Sequence, residues 1–263
     1  MVHKFNFFHY TAKWRLAMVP GSFLPFFNRK ALVVGGTGGI GRAVALGLAE
    51  RGAEVMVHGG SSIERLDDTV AALRKLGGKG DGFLLPINGP EAAEAIFARF
   101  PVFDILVCAW GPFKQGSLET LDRDFWQKMT ENNLVFPGTL VSLAIPGMIE
   151  RNWGRILLFG GTNTDTIRGF TTTAAYSAAK TALGVVAKSV AKTAGCRGVS
   201  CNVVCPGLVD TEYVSQEQRR YNREKSPSGK PLSVQQLAQA ALAILENPGF
   251  NGAVVSVDQG TVL

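Results

Sequence analysis

Tyr176 and Lys180 stand four residues apart in the string Tyr176-Ser177-Ala178-Ala179-Lys180. The surrounding run, residues 172–188, is rich in alanine and reads as a helix. Positions i and i+4 of a helix share one face, so a phenol and an ammonium can converge on one reacting group. A neighbouring cation favours phenolate, which predicts that Lys180 draws the Tyr176 pKa down toward neutrality. A phenol tuned in this way gives a proton to a carbonyl or takes one from an alcohol. YxxxK is a short string that also arises by chance, so its weight depends on the elements that would position it.

From residue 30 onward, apolar strands alternate with helical stretches. Strands are expected at Ala31–Gly35, Glu54–His58, Gly82–Ile87, Ile105–Cys108, Arg155–Phe159, Ser200–Cys205 and Ala253–Val257. Several are continuous Val/Ile/Leu runs, as in parallel strands covered on both faces. Helices are expected at Gly39–Arg51, Ile63–Leu76, Glu91–Arg99, Leu121–Glu150 (broken near Pro137 and Pro146), Thr173–Thr193 and Ser233–Glu246. This alternation implies right-handed βαβ units in a single-domain α/β chain, a doubly wound Rossmann fold with a parallel sheet of about seven strands. The domain is expected to span 29–263, after an aromatic, basic extension at 1–28. The polar stretch Thr211–Pro231, with Arg219, Arg220 and Arg223, reads as a loop that could close over a substrate pocket.

The chain has 263 residues and a formal net charge of +6. No acid precedes Glu50, and Lys4, Lys13 and Arg15 place half of the net charge in the first 28 residues. The remainder is mildly basic, which argues against nucleic acid as the partner. Phe5, Phe7, Phe8, Tyr10, Trp14, Phe23, Phe26 and Phe27 crowd the extension, while Pro20, Gly21 and Pro25 interrupt it. It does not make a spanning helix of about 20 residues. It reads as a docking arm on another subunit, as residues upstream of the natural start, or, third in rank, as a membrane-surface or targeting segment. Cys108, Cys196, Cys201 and Cys205 form no CxxC pair. Cys201 and Cys205 on one strand lie about 13 Å apart, too far for a disulfide, so a reduced, cytoplasmic setting is expected. His3, His9 and His58 show no metal-ligand spacing, and no metal is expected.

The first strand runs into Gly35-Gly36-Thr37-Gly38-Gly39-Ile40-Gly41 and then a helix. Glycines there allow a tight turn and close approach to a pyrophosphate, which the helix N-terminus faces. Thr37, Gly38 and Ile40 belong to that cradle. About 20 residues on, a carboxylate would hold the ribose 2′-hydroxyl of NAD. The chain instead reads Val57-His58-Gly59-Gly60-Ser61-Ser62, with no acid between Glu54 and Glu64. His58, Ser61 and Ser62 offer donors, Arg65 follows, and NADP is expected over NAD.

With a glycine-rich first turn, no second domain and a downstream YxxxK, the chain resembles the short-chain dehydrogenase/reductase family over roughly residues 30–260. Gly35, Gly39 and Gly41 match its GxxxGxG. The resemblance implies that Asn133 helps hold a proton-relay water, that Tyr176 is the acid/base, and that Lys180 also binds the nicotinamide ribose. It places Pro206, Gly207 and Thr211 beside the nicotinamide. Cys108-Ala109-Trp110-Gly111 stands where the family has Asn-Asn-Ala-Gly, so Cys108, Ala109 and Trp110 should border the cofactor. The family's substrate-orienting serine, about thirteen positions before the tyrosine at the end of the fifth strand, is missing. Thr162 or Asn163 is expected to replace it.

The resemblance thus implies hydride transfer between nicotinamide and a carbonyl or secondary alcohol on a small molecule, one that the arginines of 211–231 would suit if acidic. It is nearest in style to 3-oxoacyl-thioester reductases and sugar or polyol dehydrogenases. It also implies a homo-oligomer, tetramer or dimer, through the helices at Leu121–Glu150 and Thr173–Thr193. The alternative is a dinucleotide-binding sensor or scaffold with little redox turnover, favoured by the missing serine and disfavoured by the intact Tyr–Lys–Asn set.

Overall fold

The computed structural model describes residues 24–261; the extension upstream of Leu24, with its aromatic and basic residues, lies outside the described residues. In chain order the elements are β1 Lys30–Val34, α1 Gly39–Glu50, β2 Glu54–Gly59, α2 Ile63–Lys75, β3 Gly80–Leu84, α3 Ala92–Arg99, β4 Ile105–Cys108, α4 Arg123–Thr130, a π-helical turn Glu131–Val135, and α5 Phe136–Glu150. Then come β5 Gly154–Phe159, α6 Ala174–Ala194, β6 Val199–Pro206, β7 Val209–Asp210, α7 Gln216–Lys225, β8 Leu232–Ser233, α8 Val234–Glu246 and β9 Val254–Val257.

Seven strands form one parallel sheet in the order β3-β2-β1-β4-β5-β6-β9. The order reverses between β1 and β4, so a crevice opens at the carboxyl ends of those two strands. Alternate β1 side chains serve opposite faces: Ala31 and Val33 pack with α1, α2 and α8, while Leu32 and Val34 pack with α3, α5 and α6. This two-sided burial is why the strands read as unbroken apolar runs.

Three expectations change. Phe26, assigned to the extension, is buried in the core, and its N–H donates to Arg51 O at 2.9 Å. The domain's packing therefore begins before residue 29. Residues 123–150 run on without a break. Pro137 directly follows the π-helical turn, at the second residue of α5, and Pro146 lies inside α5 without ending it. Finally, 211–231 is not a loop throughout. Ser215 caps α7 by accepting from Gln218 N at 3.1 Å, and β7 pairs with β8 at the two ends of the segment.

Candidate active site

Tyr176 and Lys180 project from α6 toward the carboxyl end of β5. Lys180 is buried, and its Nζ donates to Phe159 O at 3.0 Å. Phe159 ends β5, so the ammonium is pinned where the strand stops. The Lys180 Nζ lies 5.8 Å from the Tyr176 ring centroid. Burial holds Lys180 down to about 8, against the opposing pull of the Cys108 and Cys205 sulfurs. The expected depression of the phenol does not occur. Burial pushes Tyr176 up to about 12, with Cys205 adding in the same direction. Desolvation of the phenolate outweighs an ammonium that is itself buried and bonded elsewhere.

Asn133 occupies the π-helical turn, a distortion common at functional sites. Its Nδ2 donates to Pro112 O at 3.0 Å. Its Oδ1 is buried with no hydrogen-bond partner among the described residues. Asn133 Oδ1 and Lys180 Nζ occupy the space beside Gly111 that a side chain there would need. The segment after β4 therefore packs Gly111 over Asn133 and Lys180. Two residues further on, the Phe113 ring meets Tyr176 edge-on at 5.0 Å.

The serine's place is taken by neither Thr162 nor Asn163. Thr162 Oγ1 donates to Pro206 O at 3.1 Å, which ties the turn to the end of β6. Asn163 adopts φ 65°, and its Oδ1 accepts from Arg168 at 3.4 Å. The residue against the phenol is Gly161. A Cβ built there would lie 2.8 Å from Tyr176 Cε1 and 3.1 Å from its hydroxyl oxygen. Thr164 clamps Gly161: its Oγ1 accepts from Gly161 N at 2.8 Å and donates to Gly161 O at 2.9 Å.

At the crevice between β1 and β4, a cavity of about 410 Å³ is lined by the candidates Gly35, Thr37, Gly38, Gly39, Ile40, Ser61, Ser62, Ala109, Trp110 and Thr211, together with Gly60, Arg65, Gly111 and Tyr213. Gly41 lies beneath the cradle, so close to Gly35 O that a side chain would drive α1 away from the turn. The expected residues Cys108, Lys180, Pro206, Gly207 and His58 are not in the lining. Cys108 is buried in the core. His58 turns inward: Nε2 donates to Leu85 O at 2.7 Å, and Nδ1 accepts from Gly35 N at 3.4 Å. Burial lowers its pKa, so the ring is a neutral brace for the glycine turn rather than a phosphate ligand. Ser62 Oγ caps α2 by accepting from Arg65 N at 3.3 Å. Sequence reasoning missed Glu212 and Tyr213, which reach this rim from the segment that follows β7. Arg219 was expected to face an acidic substrate. It pairs instead with Asp210 at 3.0 Å and donates to Thr211 O at 3.2 Å, leaving Arg220 and Arg223 exposed.

A glycine-rich first turn and a Tyr–Lys pair at one carboxyl edge of a parallel sheet define a nucleotide-binding oxidoreductase of the doubly wound class. The chain belongs to the short chain dehydrogenase family, whose model matches residues 29–222. It is 31% identical over 246 residues to the 3-oxoacyl-(acyl-carrier-protein) reductase FabG of Salmonella typhimurium, covering 90% of this chain and 98% of that one. It is 28% identical over 264 residues to the D-beta-hydroxybutyrate dehydrogenase of Cupriavidus necator, with 89% and 98% covered. Among solved structures it is similar to a short-chain dehydrogenase/reductase from Serratia marcescens, with a TM-score of 0.80, 27% identity, and 91% of this chain and 100% of that chain covered. The protein is an NAD(P)-dependent oxidoreductase acting on CH–OH and C=O groups of a small-molecule substrate.

Proposed function

We propose that the protein reduces the carbonyl of a 3-oxo acid or 3-oxoacyl unit with NADPH. The observation that carries the cofactor choice is the far end of the cavity, where Gly60, Ser61, Ser62 and Arg65 stand with no carboxylate among them. A carboxylate there would repel a 2′-phosphate. The cradle suits a dinucleotide: the N-terminus of α1 and the glycine turn offer N–H donors, and Ala109 and Trp110 form the opposite wall. When bound, the nicotinamide supplies or accepts the hydride.

The chain's own residues handle the proton. Tyr176 gives it to the carbonyl oxygen, and its raised pKa keeps the acid form intact at neutral pH. Lys180 Nζ and Asn133 Oδ1, unpartnered among the described residues, lie together on one side of Gly111 and suit a water that returns a proton to the phenol. The substrate class is supported by the relatives, two of which are named for a 3-oxoacyl and a 3-hydroxy acid. The exposed Arg220 and Arg223 on α7 supply charge for an acidic group. The proposal includes a cytoplasmic setting. It also includes self-association through exposed apolar residues such as Val135 and Val185, the latter 67% exposed on α6. Gly161 favours the rival reading, a dinucleotide-binding sensor with weak turnover, because the turn beside Tyr176 presents no side-chain hydroxyl of its own there.

The test is NADPH consumption with 3-oxoacyl thioesters, acetoacetate and uncharged ketones. The sensor reading wins if purified protein binds NADPH but turns over none of them. Cofactor choice is tested at residue 60. Nothing lies within 4 Å of a Cβ built on Gly60, whereas one on Gly59 would meet Thr37 at 2.7 Å. An acid therefore fits at 60 and not at 59. Gly60→Asp is expected to weaken NADPH about ten-fold or more while sparing NADH. Tighter NADH than NADPH binding by the unmutated chain would sink the assignment.

A further inference from the structure

Thr211–Tyr213 crosses the glycine-rich turn on the rim of the cavity. Glu212 Oε1 accepts from Gly39 N at 2.7 Å. Gly39 opens α1, and its N–H is one of the helix-start donors that suit an anion. The Tyr213 hydroxyl rests directly on Gly38, leaving no room for a side chain there. The same hydroxyl accepts from Arg65 Nη1 at 3.0 Å, and the Arg65 guanidinium lies 5.0 Å from the ring centroid. Two adjacent residues thus engage both cationic features of the cavity, the α1 N-terminus and Arg65. Behind them, Arg219 of α7 holds Asp210 and Thr211 O, which ties α7 to the segment.

We propose that Glu212 and Tyr213 form a latch that competes with the dinucleotide's phosphates for the α1 N-terminus and Arg65, and that α7 loosens when the latch opens. The proposal rests on the dinucleotide reading above. A carboxylate carries one charge where a pyrophosphate carries two, so the latch yields to the cofactor. Affinity is reduced in proportion to the fraction of molecules closed. The contact is solvent-exposed, so its weight is that of one screened, charge-assisted hydrogen bond, several-fold to about ten-fold in binding.

The test uses the full chain, titrated with NADPH by fluorescence and calorimetry. Glu212→Ala is expected to bind NADPH roughly five- to ten-fold more tightly than the parent. Without cofactor, trypsin is expected to cut the variant faster within α7, at Arg220 and Arg223, because the Glu212 contact with the glycine turn is gone and only Tyr213 still ties the segment to it. Unchanged or weaker NADPH binding by Glu212→Ala, with the parent binding normally, overturns the latch alone. Tighter binding with unchanged cleavage reduces Glu212 to a repelling charge and also overturns it. If neither protein binds NADPH or NADH, the dinucleotide reading falls and takes the latch with it.

Discussion

Tyr176→Phe lowers the turnover number for carbonyl reduction about 10²–10⁴-fold, the usual contribution of a positioned general acid, and leaves NADPH affinity and thermal stability near those of the parent. The substitution keeps the ring, so the edge-on contact with Phe113 and the packing against Gly161 survive. What disappears is the proton. Burial holds the phenol up to about 12, so at neutral pH nearly all molecules carry the proton that reduction needs. The reverse reaction needs the deprotonated form, which grows as pH rises toward that value. Alcohol oxidation is therefore expected to climb with pH, while reduction does not gain. Steady-state rates in both directions, with NADPH titration and a melting curve on the same preparation, check this. A Tyr176→Phe protein that reduces a 3-oxo substrate as fast as the parent removes Tyr176 from the chemistry.

Much of the scaffold could be read from residue types. The central strands announced themselves as apolar runs because both faces are covered, whereas the edge strand β3, with Gly80, Asp81 and Gly82, starts two residues and ends three residues before the expected ends. The helices that carry an apolar face were read for the same reason. The segment after Thr211 was not, because α7 is almost wholly polar and buries little beyond Asn222. Its start signal was nonetheless present: Ser215 is followed three residues later by Gln218, a capping arrangement. The π-helical turn at Glu131–Val135 left no comparable trace. It keeps helical hydrophobicity and differs only in hydrogen-bond register.

Side-chain direction at strand ends was the hardest to read. His58 follows an apolar run and precedes a glycine turn, so the sequence allowed it to point either into the cavity or into the sheet. It points into the sheet, where both ring nitrogens find backbone partners. Glu212 and Tyr213 are 170 or more residues from the glycines they touch, and no local pattern links them. The serine's place turned on the direction of counting. Thirteen back from Tyr176 lands on Asn163; two forward from Phe159, where β5 ends, lands on Gly161. Strand ends are anchored by the sheet, and the loop between β5 and α6 is free to differ in length, so the count from the strand is the sound one.

Gly161→Ser is therefore expected to lower turnover by roughly 10²-fold, although it adds the hydroxyl that the family pattern calls for. Two effects oppose each other. A well-placed donor to a developing oxyanion contributes about 10²–10³-fold. A catalytic group misplaced by about 1 Å costs on the order of 10²-fold. Geometry decides between them. The new Cβ would come 2.8 Å from Tyr176 Cε1, which no side chain tolerates. Gly161 cannot retreat, because both its N–H and its carbonyl are bonded to Thr164 Oγ1. The phenol gives way, and a donor beside a displaced acid is of little use. Gly161→Ala adds the same Cβ without the hydroxyl, so it measures the displacement alone; it is expected to fall at least as far as the serine variant. NADPH affinity should persist in both, since residue 161 is not in the lining of the cofactor cavity. A serine variant faster than the parent would mean that the ring tolerates the new side chain and that Gly161 is simply a lost donor. Turnover below the parent in both variants, with cofactor binding intact, makes the bare Cα of Gly161 the surface that sets the position of Tyr176.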